Sequence, residues 1–229
     1  MRLFQPMSQI VTRSAGTLPV PLPPIRYTRT AIVLHWLIAA LIAVNVLLGL
    51  TADALPDVWI RPAIDLHKSF GLTVLGLALV RILWRLSHPA PPLPNGYRRV
   101  ERVGAHVAHA LLYGLILLLP ISGWLHDSAF KDAAAHPLRL FWIIPWFRIA
   151  AIQGLPSAPK EALHSLLFAL HVWSVYVLCV LVALHIVGAL KHQFIDRHAE
   201  LQRMALVVRS RRLIPGRWVK RPTKSKAGG

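Results

Sequence analysis

"HVWSVYVLCVLVALH", His171–His185, is an apolar run closed at each end by a histidine. "LLFAL" leads into the first and "IVGAL" follows the second, so both imidazoles sit among hydrocarbon side chains. A polar ring buried there costs free energy unless a partner satisfies it. The two residues are fourteen positions apart, about 21 Å along a helix and close to four turns, so both rings return to nearly one face. With its apolar flanks, over about 163–190, the run is long and apolar enough to cross a bilayer. It therefore offers two ligand-capable rings at two depths of one membrane helix.

The rest of the chain is built on the same scale. Of 229 residues, 55% are hydrophobic and 15% charged, and the mean hydropathy is +0.51. These values are too apolar for an ordinary soluble domain. Four apolar runs reach spanning length, at about 30–50, 66–86, 103–125 and 163–190. The expected fold is an all-α, integral-membrane four-helix bundle over residues 27–197. A Pro-rich arm over 1–26, without a signal-peptide core, is expected to be disordered before it, and a basic tail over 198–229 follows.

Charge placement orients the bundle. Lys and Arg number 26 against 9 Asp and Glu, a formal +17. Arg2, Arg13, Arg26 and Arg29 precede the first span, and Arg85, Arg98, Arg99 and Arg102 join the second to the third. The first outer loop carries Asp53, Asp57 and Asp65 against Arg61. The positive-inside rule puts both termini and the middle loop in the cytoplasm. The tail then reads as a surface for anionic lipid, with no nucleic-acid partner. Cys179 lies alone within the fourth span, so no intramolecular disulfide forms, and no Cys-x-x-Cys-His marks a covalently held haem. In the outward-facing 127–162 connection, "LRLFWIIPWFRIA" is aromatic but too short and Pro-broken to span, and reads as interfacial. Pro120 is a candidate kink site in the third span.

Four histidines pair by depth. His35, near the start of span one, matches His185, near the end of span four. His67, opening span two, matches His171, near the start of span four. Zinc ordinarily takes three or four ligands from Cys, His and carboxylates. Each depth here offers two histidines with no intramembrane carboxylate. Two neutral imidazoles on facing helices suit the axial positions of a haem iron, which suits electron transfer rather than ligand activation. One histidine alone in an apolar helix is more often a hydrogen-bonded or interfacial residue. Four at two matched depths favour the ligand reading.

Other positions carry weaker signals. Arg81, fourteen residues after His67, returns to its face at cytoplasmic depth. It suits a haem propionate or a quinone headgroup, or simply snorkels to the interface. Lys68 and Arg61 form a candidate outer anion patch, with interface anchoring as the plain reading. His192, seven residues after His185, is a candidate for proton delivery to quinone or an ordinary interfacial histidine. His106 and His109, one turn apart at the start of span three, suit polar contacts near the inner haem or a quinone pocket. Gly71 and Gly188 leave room for a macrocycle or for helix contact. His88, His126, His136, His164 and His198 receive no role.

The stretches "RYTRTAIVLHWLIA", "LHKSFGLTVLGLALVRILWRLSHPAPPLP", "GAHVAHALLYGLILLLPISGW" and "FALHVWSVYVLCVLVALHIVGALKHQFIDR" resemble the four helices of the bacterial cytochrome b561 family. The resemblance covers about Tyr27 to Arg197, excluding the 127–162 connection. It implies an inner-membrane bundle holding two b haems, with His35 and His185 as axial ligands of the inner iron and His67 and His171 of the outer. The family includes a superoxide oxidase that reduces ubiquinone. The implied function is di-haem electron transfer from a periplasmic one-electron donor, superoxide among the candidates, to ubiquinone. The implied enzyme is then an oxidoreductase of the superoxide:ubiquinone type. The alternative is a cytochrome b subunit passing electrons between a partner dehydrogenase or hydrogenase and the quinone pool. A histidine-lined metal transporter is a third reading, disfavoured by the missing carboxylates.

Overall fold

A computed structural model describes residues 26–92, 97–133, 135–197 and 200–206 of the chain. The expected arm up to residue 25 and the tail beyond residue 206 lie outside the described residues, as does His198.

Four long helices carry the fold: α1 (Arg29–Thr51), α2 (Asp57–Ser87), α3 (Arg99–Ser128) and α5 (Ser157–Phe194). All four are long and apolar enough to cross a membrane. Each begins where local chemistry favours it. Thr28 Oγ1 accepts the Ala31 N–H at 3.3 Å and caps α1. Pro56 and Pro156 stand immediately before α2 and α5, where a residue without N–H loses nothing. Glu101 accepts the Arg98 N–H at 3.1 Å in a capping box at the start of α3. The helices outrun the apolar windows read from sequence. α5 is 38 residues long, about 57 Å at 1.5 Å per residue against a hydrocarbon core of about 30 Å. α3 runs uninterrupted through Pro120, and α2 through Pro62.

The bundle is inverted relative to a soluble one. Ser69, Ala78, Ser122 and Ser128 are buried, while Leu47, Leu83, Trp173 and Val187 are exposed. Lipid solvates large apolar side chains as well as the interior does, so small residues take the contacts where backbones approach. Close packing joins α1 to α2, α2 to α3, and α3 to α5. α5 has no comparable packing against α1 or α2. A separation between facing backbones therefore remains along the face of α5 that looks towards those helices.

The bundle has a near end, where α1 and α3 begin, and a far end, where they finish. At the far end, the connection between α3 and α5 forms a small antiparallel pair, β1 (Arg139–Leu140) with β2 (Ile144–Pro145), then the single turn α4 (Ala150–Gln153). It is fastened at several points. The Phe141 N–H donates to Ser69 Oγ at 2.8 Å, Trp124 Nε1–H to the Phe147 carbonyl at 2.9 Å, and the Ile149 N–H to Ser128 Oγ at 3.1 Å. Ser69 lies two residues beyond His67. The hairpin thus folds down the side of α2 to that histidine's level, leaving Trp142 and Ile143 exposed at its tip.

At the near end, part of the expected tail is structured. α6 (Glu200–Arg203) turns the chain back onto the bundle. Arg203 is buried and donates through Nη2 to the carbonyls of Pro91 and Pro92 at 2.8 and 2.9 Å. Trp36 Nε1–H donates to the Met204 carbonyl at 2.8 Å.

Candidate functional site: two facing histidine pairs

The far-end pair is His67 on α2 and His171 on α5, with ring centres 6.0 Å apart and planes at 77°. The near-end pair is His35 on α1 and His185 on α5, at 6.3 Å and 68°. An imidazole–metal bond is about 2.0 Å, and the ring centre lies roughly 1.1 Å beyond the nitrogen. One metal ion held in line between two imidazoles thus separates their centres by about 6.2 Å. Both pairs have that spacing, and both lie across the gap that α5 leaves open. The residues present fit a bis-imidazole iron at each end.

The far-end rings are oriented by main chain. His67 Nδ1–H donates to the Asn45 carbonyl at 2.9 Å. His171 Nδ1–H donates to the Leu119 carbonyl at 3.0 Å, with Ser122 Oγ 3.1 Å from the same nitrogen. A carbonyl only accepts, so each Nδ1 carries the proton and each Nε2 keeps its lone pair for a metal.

At the near end, His185 has a second neighbour. His109 on α3 lies 5.4 Å from it, centre to centre. That is short of the in-line metal spacing and suits direct edge contact, so the geometry favours His35 as the partner across a metal. His106 turns away and bonds the Arg102 carbonyl at 2.7 Å.

Arg81 reaches from α2 to both neighbouring helices. Its Nη1 donates to the Ala31 carbonyl at 2.7 Å, and its Nε to the Tyr113 hydroxyl at 3.2 Å. Ala31 is one turn before His35, so the guanidinium lies beside the near-end pair. A cleft there is lined by Tyr27, Arg81, Trp84, Arg85 and Tyr113. His192 belongs to a different group. Its Nδ1 is 2.6 Å from Asp196 Oδ2, and its ring lies 4.4 Å from that of Tyr97. Lys191 Nζ bridges Glu101 at 2.7 Å and Asp196 at 2.8 Å. Glu101, His192 and Asp196 are spaced for a metal ion, but the Lys191 ammonium already bonds both carboxylates. It also holds the Asp196 carboxyl below its usual range.

The far-end cations Arg61 and Lys68 are paired. Arg61 Nε lies 3.3 Å from Asp65, and Lys68 Nζ 2.7 Å from Asp127. Asp127 is buried and also binds Arg148 Nε at 2.7 Å. Sequence reading missed Asp127, at the end of α3, and Arg148, in the loop after β2, which have no periodic relation. It also missed the two carbonyls that orient His67 and His171. Gly71 and Gly188 do not abut a histidine. A Cβ at Gly71 would lie 3.6 Å from Asn45 Nδ2, and one at Gly188 would meet nothing within 4 Å. His126 and His164 lie against each other at the far end, ring centres 3.9 Å apart.

A family profile described as prokaryotic cytochrome b561 matches residues 26–205. The chain is 35% identical over 184 residues to cytochrome b561 homolog 2 of Escherichia coli K12, covering 79% of this chain and 92% of that protein. It is 29% identical over 185 residues to cytochrome b562 of Cereibacter sphaeroides, covering 78% and 94%. It is 25% identical over 187 residues to a probable superoxide oxidase, CybB, of Yersinia pestis, covering 78% and 95%.

Proposed function

The chain belongs to the prokaryotic cytochrome b561 family, a family of membrane electron-transfer proteins carrying b-type haem, and we propose that it holds two haems and links an outer one-electron donor to ubiquinone. The spacing of the two histidine pairs, 6.0 and 6.3 Å, carries this reading. When bound, the haems supply one-electron carriers at two depths of the bilayer. His67 and His171 present Nε2 to the outer iron, with their tautomers set by main-chain carbonyls. His35 and His185 hold the inner iron. Both termini and the α2–α3 loop lie in the cytoplasm, where the basic residues concentrate. Arg81 offers its charge to a propionate or to the quinone head at the inner cleft. His192, bonded to Asp196, is the proposed route of proton delivery to the quinone.

Superoxide is the donor suggested by the Yersinia relative's name. A second reading, a protein donor docking at the far end, is favoured by the pairing of Lys68 and Arg61. Compensated cations give little long-range steering of a small anion. Stopped-flow mixing of oxidised, haem-loaded protein with superoxide, with and without ubiquinone, decides. Rapid haem reduction followed by quinone-dependent reoxidation supports the superoxide reading. No reduction on that timescale removes superoxide and leaves the protein-donor reading. A wild-type protein that binds no haem overturns both.

A further inference from the structure

The carbonyls that receive His67 and His171 share a local design. Asn45 is followed four residues later by Gly49, and Leu119 by Gly123. In an α-helix the carbonyl of residue i already accepts from the N–H of residue i+4, and the Cβ of that later residue leans back over the preceding turn. A side chain at i+4 therefore crowds a second donor that approaches the carbonyl from that side. At both positions the imidazole occupies that space. A Cβ on Gly49 would lie 3.0 Å from His67 Cε1 and 3.2 Å from its Nδ1. A Cβ on Gly123 would lie 3.3 Å from His171 Cε1 and 3.4 Å from its Nδ1. The two arrangements sit on different helices, α1 and α3, and serve rings on α2 and α5. The near end does not repeat the pattern, since at none of the other described glycines would a Cβ lie within 4 Å of a histidine ring.

We propose that Gly49 and Gly123 are positioning residues for the far-end pair, each baring a main-chain carbonyl that fixes the neighbouring imidazole's tautomer and orientation. Each glycine admits the ring close enough for Nδ1–H to share the carbonyl with the helix's own N–H. That leaves Nε2 as the iron-binding nitrogen and raises its basicity, because a donating imidazole is a better electron donor. The far-end iron is then biased towards its oxidised form relative to the near-end iron. This inference rests on the haem reading of the two pairs.

The test uses Gly49→Ala and Gly123→Ala in the full haem-loaded chain, with Gly104→Ala as a control whose Cβ meets nothing within 4 Å. Redox titration and electron paramagnetic resonance separate the two haems, and the near-end signal reports that the bundle is folded. The expected result is a raised far-end midpoint potential or selective loss of the far-end haem, with the near-end signal and the control unchanged. Because the glycines lie on different helices, either variant reads the effect if the other fails to accumulate. Far-end signals unmoved in both variants, or both haems shifting together, overturn the proposal. A wild type without haem instead overturns the reading beneath it.

Discussion

His67 Nδ1 lies 2.9 Å from the carbonyl oxygen of Asn45, a residue on a different helix and 22 positions earlier in the chain. The contact decides which nitrogen of His67 is free. It also ties the far-end site to the packing of α1 on α2, so that any change in that packing is felt at the ring.

Removing one histidine at a time separates the two sites. His67→Ala or His171→Ala is expected to eliminate one low-spin haem and leave the other. His35→Ala or His185→Ala is expected to do the converse. His109→Ala keeps both haems, since its ring contacts His185 at 5.4 Å rather than facing it across a metal spacing. Haem-to-protein ratios and reduced spectra measure this. Loss of a haem in His109→Ala would reassign the near-end partner.

Asp127→Ala leaves Lys68 and Arg148 without their shared carboxylate in a largely buried place. Breaking a buried pair by removing one partner costs about 3–5 kcal/mol. The far-end connection loses its anchor, so cleavage between α3 and α5 by added protease should accelerate with the near-end haem intact. An unchanged digestion rate would show that the hydrogen bonds from Phe141 and Ile149 suffice.

The far-end cations Arg61 and Lys68 have a small expected effect on a superoxide reaction. Arg61 forms an exposed pair with Asp65 four residues on, and such pairs contribute under about 1 kcal/mol. Arg61→Gln is expected to leave the haem reduction rate within about fivefold of wild type. A larger fall, with steep dependence on ionic strength, would show that the patch steers the anion despite its pairing.

Asp196 predicts a pH dependence. The Lys191 ammonium, with a smaller contribution from His192, lowers its carboxyl pKa in the folded state. Glu101 faces the same ammonium from α3. A depressed carboxylate stabilises the fold above its unfolded pKa of about 4, and that contribution fades as pH falls through the folded value. Wild type is therefore expected to exceed Asp196→Asn in thermal stability at neutral pH, with the difference closing below about pH 4. A constant difference across that range would place the effect elsewhere than in the carboxylate charge.

Much of the architecture was legible in the order of residues. Apolar runs of spanning length located the four helices, and the Lys and Arg bias suggested which ends share a side. The fourteen-residue spacing of His171 and His185 put both on one face of α5. Depth matching alone then joined each to a histidine that the structure places opposite it. Both signals are one-dimensional, because length and spacing along a helix survive translation into distance at 1.5 Å per residue.

What only the tertiary structure decided depends on how the helices are turned about their axes. In lipid, the outer face of a helix is as apolar as the inner one, so hydropathy carries little record of rotation. Hence neither the seating of His67 against Gly49 nor that of His171 against Gly123 could be read from the chain. The proximity of His109 to His185, and the meeting of Asp127 with Arg148, were equally hidden. Each joins residues of separate segments whose distance is set by packing, and the far-end pair takes its orientation from the first two of those contacts.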